Sequence, residues 1–147
     1  MENWDNEMQI ECAKSFQRED VVQYMTPENH MKLMDECLNV IMNSEITQED
    51  YLRHWMKVFH AVCPYLSIEY LRYTVLKRIG DLPSLKQTLP WRKLGFEMFW
   101  SITLGKGQEI LQLEPLMMRT IHSMCNDNNW KIRRDAAKQM QEFFTEL

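Results

Sequence analysis

Signals for the start of a helix recur along this chain at a nearly constant interval. Predicted first helices of successive pairs begin near residues 27, 67 and 108, and predicted second helices begin near 48, 90 and 130. Both series step by about 40 residues, a period typical of units made from two antiparallel helices. Because one such pair cannot bury its apolar face alone, it must pack on its neighbours. The interval predicts an all-α solenoid of about three antiparallel helix pairs plus an N-terminal helix.

Local signals place the individual helices. Thr26, followed by Pro27, and Thr47 are typical helix starts, because a hydroxyl accepts a hydrogen bond from a free backbone N–H and Pro at the first position loses no needed donor. Gly80 is predicted as a left-handed C-terminal cap, and Pro115 marks a kink or a true start within the fifth helix. We expect a helical cap over residues 1–25 and one structural domain over 26–147, with pairs at about 26–64, 65–106 and 107–147.

Composition narrows the classes of function. Apolar residues form 45% and charged residues 26% of the 147-residue chain, which is the balance of a folded globular protein. The net charge of −4 offers no field that attracts a polyanion, so nucleic acid is not expected as a partner. No apolar run approaches the ~18 residues of a membrane span, and the acidic start lacks the features of a secretory signal. A protein of the cytoplasm or nucleus is expected, without a membrane contact.

The cysteines and histidines give no pattern typical of a metal or catalytic site. The four cysteines, which lie at 12, 37, 63 and 125, form no CxxC pair, so we expect buried free thiols in a reducing compartment. His60 and Cys63 are three residues apart on one helix face, yet no third orienting group accompanies them. We interpret both as residues of an apolar stripe. The sequence predicts no enzyme, no cofactor and no metal.

Two basic sets also require interpretation. Arg72, Lys77 and Arg78 form one, and the second runs from Lys131 to Lys138. Acidic residues lie on either side of the first set and within the second, and the basic positions fall on two helix faces. A solvated surface is therefore favoured over a phosphate-binding patch.

The last predicted pair carries a motif. Pro115 lies in its first helix, Asp127 in its turn, and the second helix contains Trp-Lys-Ile-Arg-Arg-Asp-Ala-Ala over residues 130–137. This pattern resembles a HEAT repeat and is similar to repeats of the protein phosphatase type 2A scaffold subunit and of type 4 phosphatase regulatory subunits. The resemblance implies an armadillo-like helical fold and a non-catalytic protein–protein interaction scaffold or adaptor, such as a regulatory subunit of a phosphatase complex.

The turns of the predicted array supply the candidate binding residues. Trp91 and Trp130 each begin a second helix, and Trp beside Arg or Lys is the composition of an interface hot spot. In the phosphatase scaffold that the chain resembles, partner subunits dock on such turns. We predict that Arg92, Lys131 and Arg134 orient a protein or peptide partner while the two tryptophans are buried by it. A tryptophan that covers the end of the core remains the alternative.

Other residues of the last pair are predicted to be structural. Ala136 and Ala137 are small enough to let the second helix approach the first closely. Asp127 is expected to accept hydrogen bonds from the Arg133 guanidinium or from free N–H groups at the next helix start. We therefore expect a supporting contact there instead of a site.

Two further hypotheses follow, one from the turn at Trp130 and one from the last residues of the chain. A Trp-Lys-x-Arg turn is also similar to tubulin-binding HEAT domains, so a tubulin- or nucleic-acid-binding helical array is the alternative function. Phe143, Phe144 and Leu147 would leave an apolar edge at the end of the chain, whereas solenoids usually close with a polar repeat. We expect that edge to be covered by self-association, by a partner or by further repeats.

Overall fold

The computed structural model describes residues 2–45, 48–84 and 86–146 and shows an all-helical protein, as the sequence predicts. Within these ranges there is no β-strand. The chain divides into two compact units, Met1–Leu66 and Ser67–Leu147, which we call the N-terminal and the C-terminal unit. Their boundary lies beside the predicted limit of the first helix pair at residue 64. The grouping of 26–147 into one domain of three pairs stays a prediction.

The N-terminal unit is built from four helices and a short 3-10 turn. They are α1 (Glu2–Phe16), α2 (Glu19–Val22), α3 (Pro27–Asn43), α4 (Glu49–Val62) and the 3-10 turn Cys63–Tyr65. Thr26 caps α3 as predicted, because its hydroxyl accepts a hydrogen bond from the Asn29 N–H at 3.2 Å and Pro27 follows it. The predicted cap of α4, Thr47, lies outside the described residues.

Apolar faces of α3 and α4 form the centre of this unit. The two helices pack against each other, and α1 packs against α4. Their fully buried side chains recur at helical spacing, which places them on one face of each helix. The largest of them are Met34, Leu38, Ile41, Trp55 and Phe59. The first predicted pair is therefore a packed pair in the structure.

Two side chains attach the N-terminal helices to this pair. Gln17 follows α1 and donates its amide N–H to the backbone carbonyl of His54 at 3.3 Å. The His30 imidazole is buried, its Nε2 donates to the Val22 carbonyl at 2.7 Å, and its ring stacks on Tyr65 at 4.9 Å. Since a carbonyl only accepts, the proton of His30 is on Nε2. This hydrogen bond connects α2 to α3.

The C-terminal unit contains the remaining helices, and three of them form one interrupted segment. They are α5 (Ile68–Tyr70), a π-helical turn (Leu71–Val75), α6 (Leu76–Ile79), α7 (Leu89–Lys106), a 3-10 helix (Gly107–Leu113), α8 (Glu114–Cys125) and α9 (Trp130–Glu146). Ser67 caps the first of them, since its hydroxyl accepts from the Tyr70 N–H at 3.1 Å. The apolar spacing predicts one regular helix here, and the π-helical turn departs from it.

The glycine assignments need correction. Gly80, predicted as a left-handed cap, has φ −59° and ψ −28°, which is right-handed helical geometry. The backbone continues into a turn in which Leu82 N–H donates to the Ile79 carbonyl, so no left-handed residue is needed. Gly107 instead has φ 53° and ψ −129° and ends α7. Because that backbone conformation is essentially restricted to glycine, Gly107 fixes the exit from α7.

In the second predicted pair, the contacts of the second helix differ from those expected. In the third pair, the first helix begins later than expected. Helix α7 packs chiefly on α9 and on the 3-10 helix Gly107–Leu113, while α8 packs on α9 as expected for the third pair. The sequence predicts the fifth helix as one element over about 108–125. Pro115 instead lies in the first turn of α8, where its missing N–H leaves no helical hydrogen bond unmade. Pro115 therefore marks a true start.

Gln139 in α9 is a buried polar residue whose side chain has no hydrogen-bond partner among the described residues. It is 0% exposed, and neither amide atom has a hydrogen-bond partner among the described residues. An unsatisfied buried amide costs about 1–3 kcal/mol, so we expect Gln139→Leu to raise the free energy of unfolding by about 1–2 kcal/mol. Urea titration followed by circular dichroism measures this difference.

Gln141→Leu is the matched control for this prediction. Gln141 lies on the exposed side of the same helix, so its substitution should change the free energy of unfolding by less than about 0.5 kcal/mol. A clear loss of stability in Gln139→Leu would contradict the prediction, because it would mean that the amide makes hydrogen bonds in the folded protein.

Candidate functional site

The turn between α8 and α9 is held by its own side chains. Asp127 is 2% exposed, and its carboxylate accepts a hydrogen bond from the Asn129 N–H at 2.8 Å. The Asn129 side-chain oxygen in turn accepts from the N–H groups of Lys131 and Ile132 at 3.0 and 3.3 Å. These bonds satisfy backbone donors at the helix start that would otherwise lack partners. The turn therefore fixes where α9 begins, at Trp130.

Arg92 supports this turn from α7. Its Nε and Nη2 donate to the two Asp127 carboxylate oxygens at 2.8 and 3.2 Å, forming a bidentate pair. The guanidinium also donates to the Gln87 carbonyl at 2.8 Å and to the Asn128 side-chain oxygen at 3.0 Å. Arg92 is 8% exposed. Since the guanidinium is buried and occupied by these acceptors, Arg92 is a supporting residue, and we correct its assignment as a residue that orients a partner.

Of the two donors predicted for Asp127, the free N–H at the next helix start is found at Asn129, whereas the contact with Arg133 is present in a different form. Arg133 Nη1 donates to the backbone carbonyl of Asp127 at 2.7 Å. The carboxylate of Asp127 accepts its hydrogen bonds from Arg92 and from the Asn129 N–H. Ala136 is 0% exposed, whereas Ala137 is exposed. Only Ala136 therefore lies in the packed face of α9. The apolar edge predicted from Phe143, Phe144 and Leu147 lies outside the described side chains.

Trp130 stands exposed on the supported turn with two cations at its ring. Its side chain is 56% exposed, which is unusual for the largest apolar residue type. Lys131 Nζ lies 5.7 Å and Arg134 Cζ 5.2 Å from the ring centroid, both within cation–π range. Arg134 also pairs with Asp135 at 3.2 Å. We call Trp130, Lys131 and Arg134 the Trp130 cluster.

Comparison with protein-family models, with curated proteins and with solved structures gives no match. The likeness of the last pair to HEAT repeats and to phosphatase subunits therefore stays a prediction. The structure brings together three of the five residues predicted to bind a partner.

The other predicted tryptophan has a different setting. Trp91 is half-buried in the first turn of α7, beside the buried Arg92. In the part of the chain that the structure describes, its ring makes no aromatic or cation–π contact with Trp130. Its partial burial agrees with the alternative in which a tryptophan covers the end of the core.

The described side chains that could have formed a catalytic or metal site lie apart from one another. His60 is exposed on α4 whereas Cys63 is fully buried, so the two side chains do not face a common space. Burial raises the pKa of the Cys37 thiol well above its usual value and raises the pKa of Cys125 as well, which keeps both thiols protonated. Among the described residues, no three metal-ligating side chains come together.

The length and apolar character of a helix determine whether it can cross a membrane. None of the helices in the described ranges combines the length and apolar character needed to cross a bilayer.

Proposed function

We propose that this protein is a non-catalytic protein–protein interaction scaffold or adaptor that binds its partner through the Trp130 cluster. The observation that carries this proposal is a tryptophan with 56% of its surface exposed, at the start of a helix whose turn is held by a buried ion pair. An exposed aromatic side chain in a fixed place loses little conformational entropy when a partner covers it.

The cluster has the energetic character of a binding hot spot. Tryptophan and arginine are the residue types most enriched at positions where truncation costs about 2 kcal/mol or more of binding energy. Covering the Trp130 ring removes apolar surface from water, and it also strengthens the attraction between the ring and the cations of Lys131 and Arg134. Both gains arise only when a partner binds.

The charges of the cluster select the partner. Lys131 and Arg134 present two exposed cations, so a partner that carries carboxylates beside an apolar side chain is complementary to the cluster. The nucleic-acid alternative has less support, because the chain carries a net charge of −4 and Asp135 lies among the basic residues that follow Trp130. A protein or peptide is therefore the partner that we propose.

The proposal includes HEAT-like helix pairs and a place in a larger complex. Support comes from two sequential pairs, α3 with α4 and α8 with α9, each packed through one apolar face. The motif at 130–137 favours a scaffold or regulatory role such as that of phosphatase subunits. Free cysteines favour the cytoplasm or nucleus, where thiols stay reduced.

Selection from a random peptide library tests the proposal, because such a library contains peptides of every charge and apolar content. We expect immobilised protein to enrich peptides with acidic residues beside an apolar one. Trp130→Ala should weaken the best peptide by about thirtyfold, which corresponds to about 2 kcal/mol. Fluorescence anisotropy measures the dissociation constant, and circular dichroism checks that helicity is unchanged.

Leu104→Ala provides the matched control. Leu104 is 51% exposed in the same unit and lies outside the cluster, so its loss should leave peptide affinity unchanged. Equal binding by Trp130→Ala and by the wild type would refute the cluster as the docking site. Binding of a single-stranded oligonucleotide that is tighter than any selected peptide, with steep weakening by salt, would instead favour the nucleic-acid alternative.

A further inference from the structure

A second surface of the C-terminal unit combines an exposed aromatic ring with cations. It is a groove between the π-helical turn and the beginning of α8, and it shares no residue with the Trp130 cluster. We call it the basic groove and define it by its main lining residues, which are Arg72, Tyr73, Leu76, Lys77, Leu113 and Arg119.

Tyr73 is the aromatic centre of the basic groove. Its side chain is 59% exposed, and Arg72 Cζ and Lys77 Nζ each lie 5.9 Å from the ring centroid. Both distances are within the range of cation–π attraction. The ring and the two cations therefore form one surface that a ligand can cover together.

The π-helical turn determines which residues reach the groove. Leu71 and Val75 at its ends are fully buried, which leaves Arg72 and Tyr73 between them on the outer side. The Arg72 guanidinium donates a hydrogen bond to the backbone carbonyl of Gln112, and this bond connects the turn to the end of the 3-10 helix. Such π-helical interruptions occur frequently at functional sites, because they reposition side chains at a cost in helix stability.

The groove has an apolar floor and a basic rim. Leu76 and Leu113 are 4% and 1% exposed and form its base, and Pro115 lies beside them. Among the described lining residues there are three cations, Arg72, Lys77 and Arg119, and no carboxylate. This local positive charge stands against a net charge of −4 for the whole chain. A negatively charged ligand with an apolar group is complementary to both features.

We propose that the basic groove binds an acidic peptide segment in which carboxylates flank one apolar side chain. The apolar side chain covers Pro115 and the face of Tyr73, above the buried Leu76 and Leu113, while the carboxylates meet the cations of the rim. A peptide fits better than a nucleic acid, because the apolar floor has no counterpart in a phosphate backbone. This site is additional to the Trp130 cluster and does not depend on it.

Fluorescence anisotropy with a designed probe tests the proposal. The probe is a fluorescein-labelled peptide in which Glu and Asp flank a single Leu, and two further probes replace the acids by amides or the Leu by Ser. We expect the acidic probe to bind, and each replacement to weaken binding by about tenfold. The double variant Lys77→Glu with Arg119→Glu should weaken the acidic probe by at least about tenfold as well.

The double variant Lys86→Glu with Lys93→Glu is the matched control, because both residues are exposed and lie outside the basic groove and the Trp130 cluster. It makes the same charge change on exposed residues of the same unit, so it reports any general effect of net charge. If this control loses as much affinity as the groove variant, the loss reflects net charge and the basic groove is refuted. If Trp130→Ala loses as much affinity and the groove variant none, the probe binds at the Trp130 cluster and the basic groove is likewise refuted. Absence of probe binding, or tighter binding to an oligonucleotide or to phosphatidylserine vesicles that the groove variant abolishes, would also overturn the proposal.

Discussion

Replacing Arg92 by Met should lower the free energy of unfolding by about 3–5 kcal/mol, because the substitution leaves the Asp127 carboxylate buried without its counter-ion. The side chains of the pair are 9% and 1% exposed, so water cannot replace the lost partner. The Gln87 carbonyl and the Asn128 side chain lose donors at the same time. Urea denaturation monitored by circular dichroism measures the loss.

Two variants test the cause of this loss. Adding Asp127→Leu to Arg92→Met removes the stranded charge, and at least about 2 kcal/mol should be recovered. Arg134→Met breaks an ion pair with Asp135 whose side chains are 52% and 40% exposed, and it should cost less than about 1 kcal/mol. A cost below about 1 kcal/mol for Arg92→Met would show that the buried pair does not hold the turn.

Gly95→Ala should destabilise the protein by about 2 kcal/mol, although the same change in an exposed helix interior usually adds about 1 kcal/mol of stability. A Cβ atom at Gly95 would lie 2.7 Å from Leu82 Cβ and 3.2 Å from the Leu82 carbonyl carbon and the Pro83 nitrogen. These atoms belong to the backbone or are fixed to it, so no rotation of a side chain relieves the overlap. Thermal and urea unfolding both measure this change.

Lys93→Ala serves as the control for the helix itself. Lys93 is exposed on α7, so its replacement changes helix propensity without touching the segment around Leu82, and the free energy of unfolding should move by less than about 0.5 kcal/mol. A stabilising effect of Gly95→Ala would mean that α7 and the 81–83 segment separate easily.

Local chemistry explains which parts of the fold could be predicted from the sequence. The helix start at Thr26 and Pro27 depends on atoms only three residues apart, and the start at Pro115 depends on one missing N–H. Such signals are complete within a short window of sequence. The prediction that Gly80 is a left-handed cap is wrong, because Gly80 and Gly107 look equivalent in sequence and only the path of the following chain decides which one adopts a positive φ.

The candidate site also contains features that a short window of sequence predicts and features that depend on distant parts of the chain. The position of Trp130 beside Arg134 follows from helical spacing, since residues four apart are neighbours on a helix surface. The contact of Lys131, the next residue, does not follow from that spacing. The counter-ion of Asp127 could not be found in this way. Sequence reasoning offers the Arg133 guanidinium or free N–H groups at the next helix start, and the Asn129 N–H does donate to the carboxylate. The counter-ion is Arg92, however, which lies 35 residues earlier in the chain. Tyr73 is missed because the sequence pattern of its neighbouring cations indicates a solvated surface.

The pairing of Arg92 with Asp127 has a consequence for mapping experiments. Alanine scanning for residues that recognise a partner would find that replacing Arg92 weakens binding. Its guanidinium is nevertheless buried against the turn between α8 and α9, where it cannot contact a partner. The loss would come from a displaced Trp130 ring. Only a scan that records folding and affinity on the same variants can separate residues that touch the partner from those that hold another residue in place.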